Sequence, residues 1–151
     1  MQAYFSSPEY ALNNLGEGVF GWMLRLEQQA GVITIPNSSG QTWFLTVFID
    51  SEINRDPARR ESGVLPDSSI VPDLWIEANS PLTVFLNGQI LIENASPVVG
   101  GFKVGDALLQ KGINRLVIIA RVGATDFQIR AWLLSKFGEP VSGIKTVLYQ
   151  F

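Results

Sequence analysis

Four tryptophans are the side chains in this sequence best suited to holding a ligand: Trp22, Trp43, Trp75 and Trp132. An exposed indole ring offers an apolar face for stacking and an N–H group for hydrogen bonding, and this combination suits the pyranose ring of a sugar. Trp43 and Trp132 lie inside strongly apolar stretches, so we expect them in the core. Trp22 and Trp75 lie nearer the starts of predicted strands, where the sequence allows either a core or an exposed position.

A second group of candidate ligands is a polar segment with oxygen-bearing side chains at alternate positions: Asp50, Glu52, Asn54 and Asp56. With Glu61 beyond them, this spacing is similar to the calcium-binding loop of an EF-hand. However, Arg55 stands where such a loop needs glycine, and a strand rather than a helix precedes the segment. Two interpretations follow. The oxygens hold a structural Ca²⁺ in another geometry, or the segment is a solvated loop whose acids are neutralised by Arg55, Arg59 and Arg60.

The absence of cysteine and histidine removes several kinds of chemistry. No disulfide, thiolate metal site or cysteine nucleophile can form within the chain. A Ser-His-Asp triad and an imidazole-bound zinc site are excluded as well. Glycoside hydrolysis needs only two carboxylates, but among the 14 acidic residues no pair stands out, except that Asp50 and Glu77 lie near strand ends. We therefore expect no enzymatic activity.

The composition is that of a globular protein with few charges. The 151 residues are 46% hydrophobic and 17% charged, so we expect one domain over residues 1–151. A net charge of −3 argues against nucleic acid and against an anionic membrane surface as partners. No apolar run reaches the length of a membrane span. The scarcity of charge also fits a surface that is used as an interface.

Short β-type stretches separated by turn signals predict an all-β fold. The clearest signal is Asn87-Gly88 between two apolar runs, a pair typical of a type I′ hairpin turn. A helix at residues 22–30 competes with the first predicted strand, and short helical turns are predicted at residues 7–15 and, as an alternative, at 106–111. Strands are predicted at residues 18–27, 32–36, 41–50, 74–78, 82–86, 89–92, 102–104, 115–122, 128–134 and 146–149. Nine or ten strands suit a two-sheet antiparallel β-sandwich of the jelly-roll type.

Three stretches carry a family resemblance: an apolar run ending in Leu86-Asn87-Gly88, the turn Lys111-Gly112-Ile113-Asn114, and Phe127-Gln128-Ile129-Arg130. Over about residues 74–134 the chain resembles the galactose-binding-like jelly-roll domains that accompany glycoside hydrolases and related secreted bacterial enzymes. Trp22 and the strand at Trp43 are similar to the opening strands of such domains. The resemblance implies a non-catalytic carbohydrate-binding accessory module, secreted or at the cell surface, and such modules often hold a structural Ca²⁺. Many of them carry an acidic pair where residues 77–82 of this chain hold one carboxylate.

Residues and resemblance together predict a carbohydrate site of exposed aromatics and loop polar groups: Trp22, Trp75, Asp50, Glu52, Arg55 and Asn79. The alternative is a structural or assembly module that packs against a catalytic domain or identical subunits and binds no sugar, a class that includes viral and phage jelly-roll subunits. The apolar residues 147–151 are a candidate edge strand for such contacts. A small-molecule-binding barrel is a third interpretation, which the long polar connection at residues 51–72 disfavours.

Overall fold

The computed structural model describes residues 33–35, 39–58, 70–123 and 126–147. These residues form nine strands: β1 (Ile33–Ile35), β2 (Thr42–Ser51), β3 (Asp73–Ala78), β4 (Leu82–Leu86), β5 (Gln89–Ala95), β6 (Phe102–Asp106), β7 (Gly112–Arg121), β8 (Phe127–Leu134) and β9 (Ile144–Val147). A four-stranded sheet has the order β1-β8-β3-β6, and a five-stranded sheet has the order β5-β4-β7-β2-β9. All of these ladders are antiparallel. The prediction of an all-β fold with two antiparallel sheets is confirmed.

Alternating burial explains why the two sheets form a sandwich. Successive side chains of a strand point to opposite faces of its sheet, and in β3 the buried positions are Leu74, Ile76 and Ala78. In β4 they are Leu82, Val84 and Leu86. The inward rows of both sheets join in one hydrophobic core. Burying each large aliphatic side chain contributes about 1.5–3 kcal/mol, so the strands are held by this shared inner layer.

The turn between β4 and β5 has the geometry that the sequence predicts. Asn87 and Gly88 have φ values of 50° and 79°, as a type I′ turn requires at both central positions. Further along β5, the register with β4 shifts twice, and Asn94 has a φ of 48°. Such bulges twist an edge strand away from the flat geometry that favours pairing with another chain.

Asn114 differs from its predicted place in a turn. It lies within β7 and is fully buried. Its Nδ2 donates to the carbonyls of Ile49 (3.3 Å), Gln110 (2.9 Å) and Gly112 (3.0 Å). Its Oδ1 accepts from Gln110 N (2.9 Å) and Asn87 Nδ2 (2.8 Å). A buried amide satisfied in this way joins β2, the β4–β5 turn and the start of β7.

The alternative of a helical turn at residues 106–111 is wrong. Asp106 ends β6, and the following residues form an irregular connection in which Ala107 and Leu109 are buried. The backbone there pairs with other segments rather than with itself: Ala107 N donates to Pro72 O (2.8 Å), and Leu109 O accepts from Arg55 N (2.6 Å). Within the described ranges, no helix has the length and apolar character needed to cross a membrane. The elements predicted at residues 7–15 and 18–30, together with Trp22, lie outside the described residues.

Candidate functional site

The outer face of the four-stranded sheet combines aromatic and charged side chains. Because Leu74, Ile76 and Ala78 point into the core, the alternate residues of β3 point outward. The same alternation in β8 buries Phe127, Ile129 and Ala131. We call this surface the tryptophan face, defined by its outward side chains and the lysine that reaches them from the β8–β9 turn: Asp73, Trp75, Glu77, Lys103, Asp106, Gln128, Arg130, Trp132, Leu134 and Lys136.

Trp75 and Trp132 form the centre of the tryptophan face. They are direct cross-strand partners in the β3–β8 ladder, both are half-buried, and their ring centroids lie 6.4 Å apart with an interplanar angle of 13°. This is an offset stack, a favourable geometry for two aromatic rings. The Cζ atom of Arg130 lies 4.9 Å from the centroid of Trp132, within the range of a cation–π interaction. The result is a fixed aromatic platform in which the guanidinium of Arg130 lies over the Trp132 ring.

The connection before β6 fixes the position of Trp132. A Cβ atom at Gly101 would lie 2.8 Å from Trp132 Cη2 and 3.2 Å from the carbonyl oxygen of Ile76. Gly101 also has a φ of 90°, a conformation that other residues rarely adopt. A glycine is therefore required here for the chain to pass against the indole ring.

A groove of about 450 Å³ lies beside the tryptophan pair, between residues 97–99 and the edge of β3 and β8. Glu77 and Arg130 line it as an ion pair, with 2.9 Å between Oε1 and Nε. Val98 and Val99 form an apolar wall, and Val99 is fully exposed. A concave site with apolar walls and a few oriented polar groups is typical of small-ligand binding. The full lining is Glu77, Ala78, Asn79, Pro97, Val98, Val99, Gln128, Ile129 and Arg130.

The contact between Arg130 and Glu77 is electrostatic. Although the Nε atom is close to the carboxylate, it is buried and its N–H makes no hydrogen bond to any described residue. Guanidinium groups present five N–H donors in a planar fork. Arg130 is therefore held near Glu77 by charge and near Trp132 by a cation–π interaction with the indole ring. It lacks the full set of hydrogen bonds that a purely structural arginine makes.

A four-membered ion cluster lies at the other end of the tryptophan face. Lys103 Nζ is 3.1 Å from Asp73 Oδ1 and 3.5 Å from Asp106 Oδ1, and Lys136 contacts both carboxylates. Burial raises the pKa of Asp73, but hydrogen bonds from Lys136 and Lys103 outweigh burial and hold it below its usual value. Burial lowers the pKa of Lys136, and the hydrogen bonds to Asp106 and Asp73 raise it above its usual value.

Among the residues that the sequence predicts for the site, Trp75 and Asn79 belong to this face and its groove. Asn79 Nδ2 donates to Asp126 O (2.8 Å), and Asn79 Oδ1 accepts from Gln128 N (3.0 Å). These bonds attach the β3–β4 turn to the start of β8. Asn79 therefore shapes one end of the groove.

Asp50, Glu52 and Arg55 lie elsewhere, at the end of β2 in the five-stranded sheet. Arg55 is only 7% exposed, and its donors bind three protein acceptors: Ser51 Oγ (3.1 Å), Ile70 O (3.0 Å) and Ser142 O (2.8 Å). Burial lowers the pKa of Arg55, and the charge of Glu52 opposes this. Asp50 Oδ2 is 3.8 Å from Lys145 Nζ. The described members of the predicted set thus divide between two regions and do not form one site.

The predicted calcium segment uses its side chains in local turns. Asn54 Nδ2 donates to Asp56 O (3.1 Å) and Asn54 Oδ1 accepts from Asp56 N (3.3 Å), while Asp56 Oδ1 accepts from Ala58 N (3.0 Å). Glu61 lies outside the described residues. Within the part of the chain that the structure describes, no three acidic side chains come together as metal ligands. The structural Ca²⁺ stays a prediction.

Sequence reasoning missed part of the face. Trp132, expected in the core, lies on the outer surface, whereas Trp43 is half-buried and packs against the core. The available sequence signal is Arg130. Residues two positions apart in a strand lie on the same face, so the charge of Arg130 indicates that Trp132 faces outward. The valine wall carried no sequence signal, because residues 97–99 acquire their role from the sheet they pass over.

A second cavity of about 250 Å³ is lined mainly by apolar residues: Ile49, Leu74, Leu116, Ala131, Trp132, Leu133, Ile144 and Lys145. Five of these are aliphatic leucines or isoleucines. Such a lining offers few polar groups to orient a ligand. The tryptophan face, which combines aromatic rings with charged groups, is therefore the stronger candidate.

No family model matches the chain, and neither the curated proteins nor the solved structures give a match. The class that the structure itself defines is an all-β protein of two antiparallel sheets. Since a fold of this kind hosts many functions, the function has to be argued from the tryptophan face.

Proposed function

We propose that this protein is a non-catalytic carbohydrate-binding module whose site is the tryptophan face and its groove. The observation that carries the proposal is that the Trp75–Trp132 stack adjoins a groove containing Glu77 and Arg130. A pyranose has apolar C–H surfaces and a ring of hydroxyls, so it needs both kinds of partner. Indole rings and the valine wall suit the first, and the carboxylate and guanidinium suit the second.

The charged pair also matches the hydrogen-bonding character of hydroxyl groups. A sugar hydroxyl donates one hydrogen bond and accepts others, as the side chains of serine and threonine do. Glu77 accepts and Arg130 donates, so neighbouring hydroxyls of one ring find complementary partners. Hydrogen bonds to charged groups contribute about 1.5–3 kcal/mol each, which supports useful affinity from a small number of contacts.

Affinity gel electrophoresis tests this function. Wild-type protein is run in gels that contain soluble plant, algal or bacterial polysaccharides, with and without EDTA. We expect retardation by at least one polymer and a loss of about tenfold or more in affinity for Trp75→Ala and Trp132→Ala, since each removes part of the platform. Trp43→Phe is the matched control, because Trp43 packs against the core of the other sheet. Loss of retardation in EDTA would support a bound cation.

The proposal fails if the folded wild-type protein is retarded by no polymer. It also fails if both platform variants, folded by circular dichroism, bind as the wild type does. Equal loss in Trp43→Phe would indicate general destabilisation rather than a direct contact.

A second candidate function, assembly with identical subunits, is favoured by the outer face of the five-stranded sheet. Ile90 pairs with Phe85 and Phe85 pairs with Val117 across three strands, and Ile90 is 51% exposed. Ile113 on the same sheet is 40% exposed. Contiguous apolar surface of this kind often marks an interface. Sedimentation velocity should then show an oligomer that Ile90→Asp dissociates, with Val99→Asp, in the connection between β5 and β6, as the control.

A further inference from the structure

We propose that the ligand is an uncharged, linear glycan that lies along β8 over several sugar units, from the valine-walled groove to the turn that carries Phe137. This inference rests on the proposed function and specifies its ligand class. Three observations carry it: the length of the face, its internal charge pairing, and an exposed aromatic at its far end.

The tryptophan face is longer than one sugar ring. Its outward residues follow β8 in steps of two, with Gln128 in the groove, Arg130 beside Glu77, Trp132 beside Trp75, and Leu134 opposite Asp73. From Gln128 to Leu134 the strand spans about 20 Å at about 3.3 Å per residue. A ligand that used the groove and the tryptophan pair together would therefore contact the protein through several rings.

Charge pairing on this face favours an uncharged ligand. Every charged side chain of β3, β6 and β8 has an opposite charge within 4 Å, if Lys136 from the β8–β9 turn is included. The three acids are balanced by three bases: Asp73, Glu77 and Asp106 by Lys103, Arg130 and Lys136. A uronate or sulfate would have to separate one of these pairs to bind, which would leave the displaced carboxylate beside the new anion. Hydroxyl groups bind without that cost.

Phe137 provides a contact at the far end. It is 81% exposed, yet the turn that holds it is closed by hydrogen bonds. Gly138 N donates to Ser135 O (2.9 Å), Ser135 N donates to Glu139 O (2.7 Å), and Ser135 Oγ accepts from Phe137 N (3.2 Å). The adjacent Lys136 attaches the turn to both carboxylates of the ion cluster. Because the backbone of the turn is already ordered, stacking the Phe137 ring against a sugar costs only the rotamer freedom of its side chain.

Isothermal titration with oligosaccharides of defined length tests the inference. The probes are β-1,4-linked gluco-, xylo- and manno-oligosaccharides and β-1,3-linked gluco-oligosaccharides, each as dimer and hexamer, with polygalacturonate, alginate and carrageenan as charged polymers. We expect one neutral series to bind, and the affinity for the hexamer to be at least about tenfold higher than that for the dimer. This affinity should not depend on salt concentration. Phe137→Ala should weaken hexamer binding severalfold and leave dimer binding unchanged. Ile53→Ala, at an exposed apolar residue (45%) beyond β2, is the control.

Each contrary result has a distinct meaning. Equal affinity for dimer and hexamer, with no effect of Phe137→Ala, overturns the extended site but leaves a carbohydrate function in place. Salt-sensitive binding of charged polymers alone overturns the uncharged class. If the folded wild type binds none of the neutral or charged probes and is retarded by no polysaccharide, the proposed function itself fails together with this inference.

Discussion

Two arginines in this protein occupy opposite kinds of surroundings. Arg55, at the end of β2, is buried and gives hydrogen bonds to three protein oxygens from three segments of chain. Arg130, on the tryptophan face, is 39% exposed in its side chain and pairs with Glu77, and its Nε–H lacks a hydrogen bond to the described residues. The sequence predicts Arg55 as a ligand-binding residue, whereas the site that we propose contains Arg130.

This difference separates an arginine whose donors are used by the protein from one that is available to contact a ligand. A buried guanidinium has to find protein acceptors, because an unsatisfied buried donor costs free energy. Once its donors are used in this way, few remain for a ligand. The Nε atom of Arg130 is also buried and unpaired, but the side chain as a whole is 39% exposed, and a guanidinium held by charge and by an aromatic ring keeps its terminal N–H groups as donors. The number of directed bonds, rather than the charge or the loop position, is therefore the reason for placing Arg130 and not Arg55 in the proposed site.

The strongest test of this comparison replaces each arginine with methionine. Arg55→Met leaves Ser51 Oγ, Ile70 O and Ser142 O without their donors, so we expect the free energy of unfolding to fall by about 3 kcal/mol. Arg130→Met removes an exposed ion pair and should cost about 1 kcal/mol or less. Urea denaturation followed by tryptophan fluorescence measures both. Of these two variants, Arg130→Met is the one in which glycan affinity should fall.

The opposite pattern would contradict this distinction between the two arginines. If Arg55→Met stays as stable as the wild type but loses glycan binding, Arg55 is a ligand contact, as the sequence predicts. Measuring glycan affinity under conditions well below the unfolding midpoint of each variant separates a loss of binding from a loss of stability.

Local signals explain which parts of the fold could be predicted from the sequence. The Asn87–Gly88 turn was predictable because two adjacent residues determine its conformation. The strands β3 and β4 were predictable because alternation of apolar and polar residues is also a local signal. Asn114 was not predictable as a buried strand residue, since its partners Ile49 and Asn87 are brought to it by other strands.

The site was less accessible to sequence reasoning than the fold. Trp75 was identified from its residue type alone, but its partner Trp132 is far away in sequence and reaches it through the β3–β8 register. Trp132 lies in an apolar run, Ala131-Trp132-Leu133-Leu134, whose lack of alternation hides which side faces solvent. The assignment of a face therefore depended on long-range strand pairing.

A smaller effect is expected from the glycine that supports the tryptophan platform. Gly101→Ala would place a Cβ atom 2.8 Å from Trp132 Cη2, whereas a Cβ atom at Gly100 meets nothing within 4 Å. Both glycines have positive φ, 82° at Gly100 and 90° at Gly101, so both variants carry a backbone cost of about 1 kcal/mol. We expect an additional loss of about 1 kcal/mol in Gly101→Ala, together with a changed near-ultraviolet circular dichroism signal from the displaced indole.

Gly100→Ala is the matched control for backbone strain. If the two variants lose the same stability and keep the same near-ultraviolet signal and glycan affinity, the close approach of residue 101 does not position Trp132. A selective effect at Gly101 would support the distinction between the tryptophan face, where we propose that glycan binds, and the structural region around Arg55.

The smallest effect concerns the ion cluster that holds the Phe137 turn. Burial raises the pKa of Asp73, but hydrogen bonds from Lys136 and Lys103 hold it below its usual value. A depressed carboxyl pKa contributes stability that is present above the pKa of the unfolded chain, about 4, and is lost as pH falls through the folded value.

The difference in unfolding free energy between the wild type and Asp73→Asn should therefore be largest near neutral pH, at about 1 kcal/mol or less. It should shrink towards zero as the solution is acidified below about pH 4. The pKa of Lys136 is raised, so its contribution is present below its unfolded value of about 10 and fades as pH rises beyond it. Urea titrations from acid to alkaline pH measure both the acid and the alkaline change, with Glu139→Gln, an exposed carboxylate after the same turn, as the control.

A difference that stays constant from neutral to acid pH would mean that the charge of Asp73 does not hold the turn. Phe137 would then lose the rigid support on which its role in glycan binding depends.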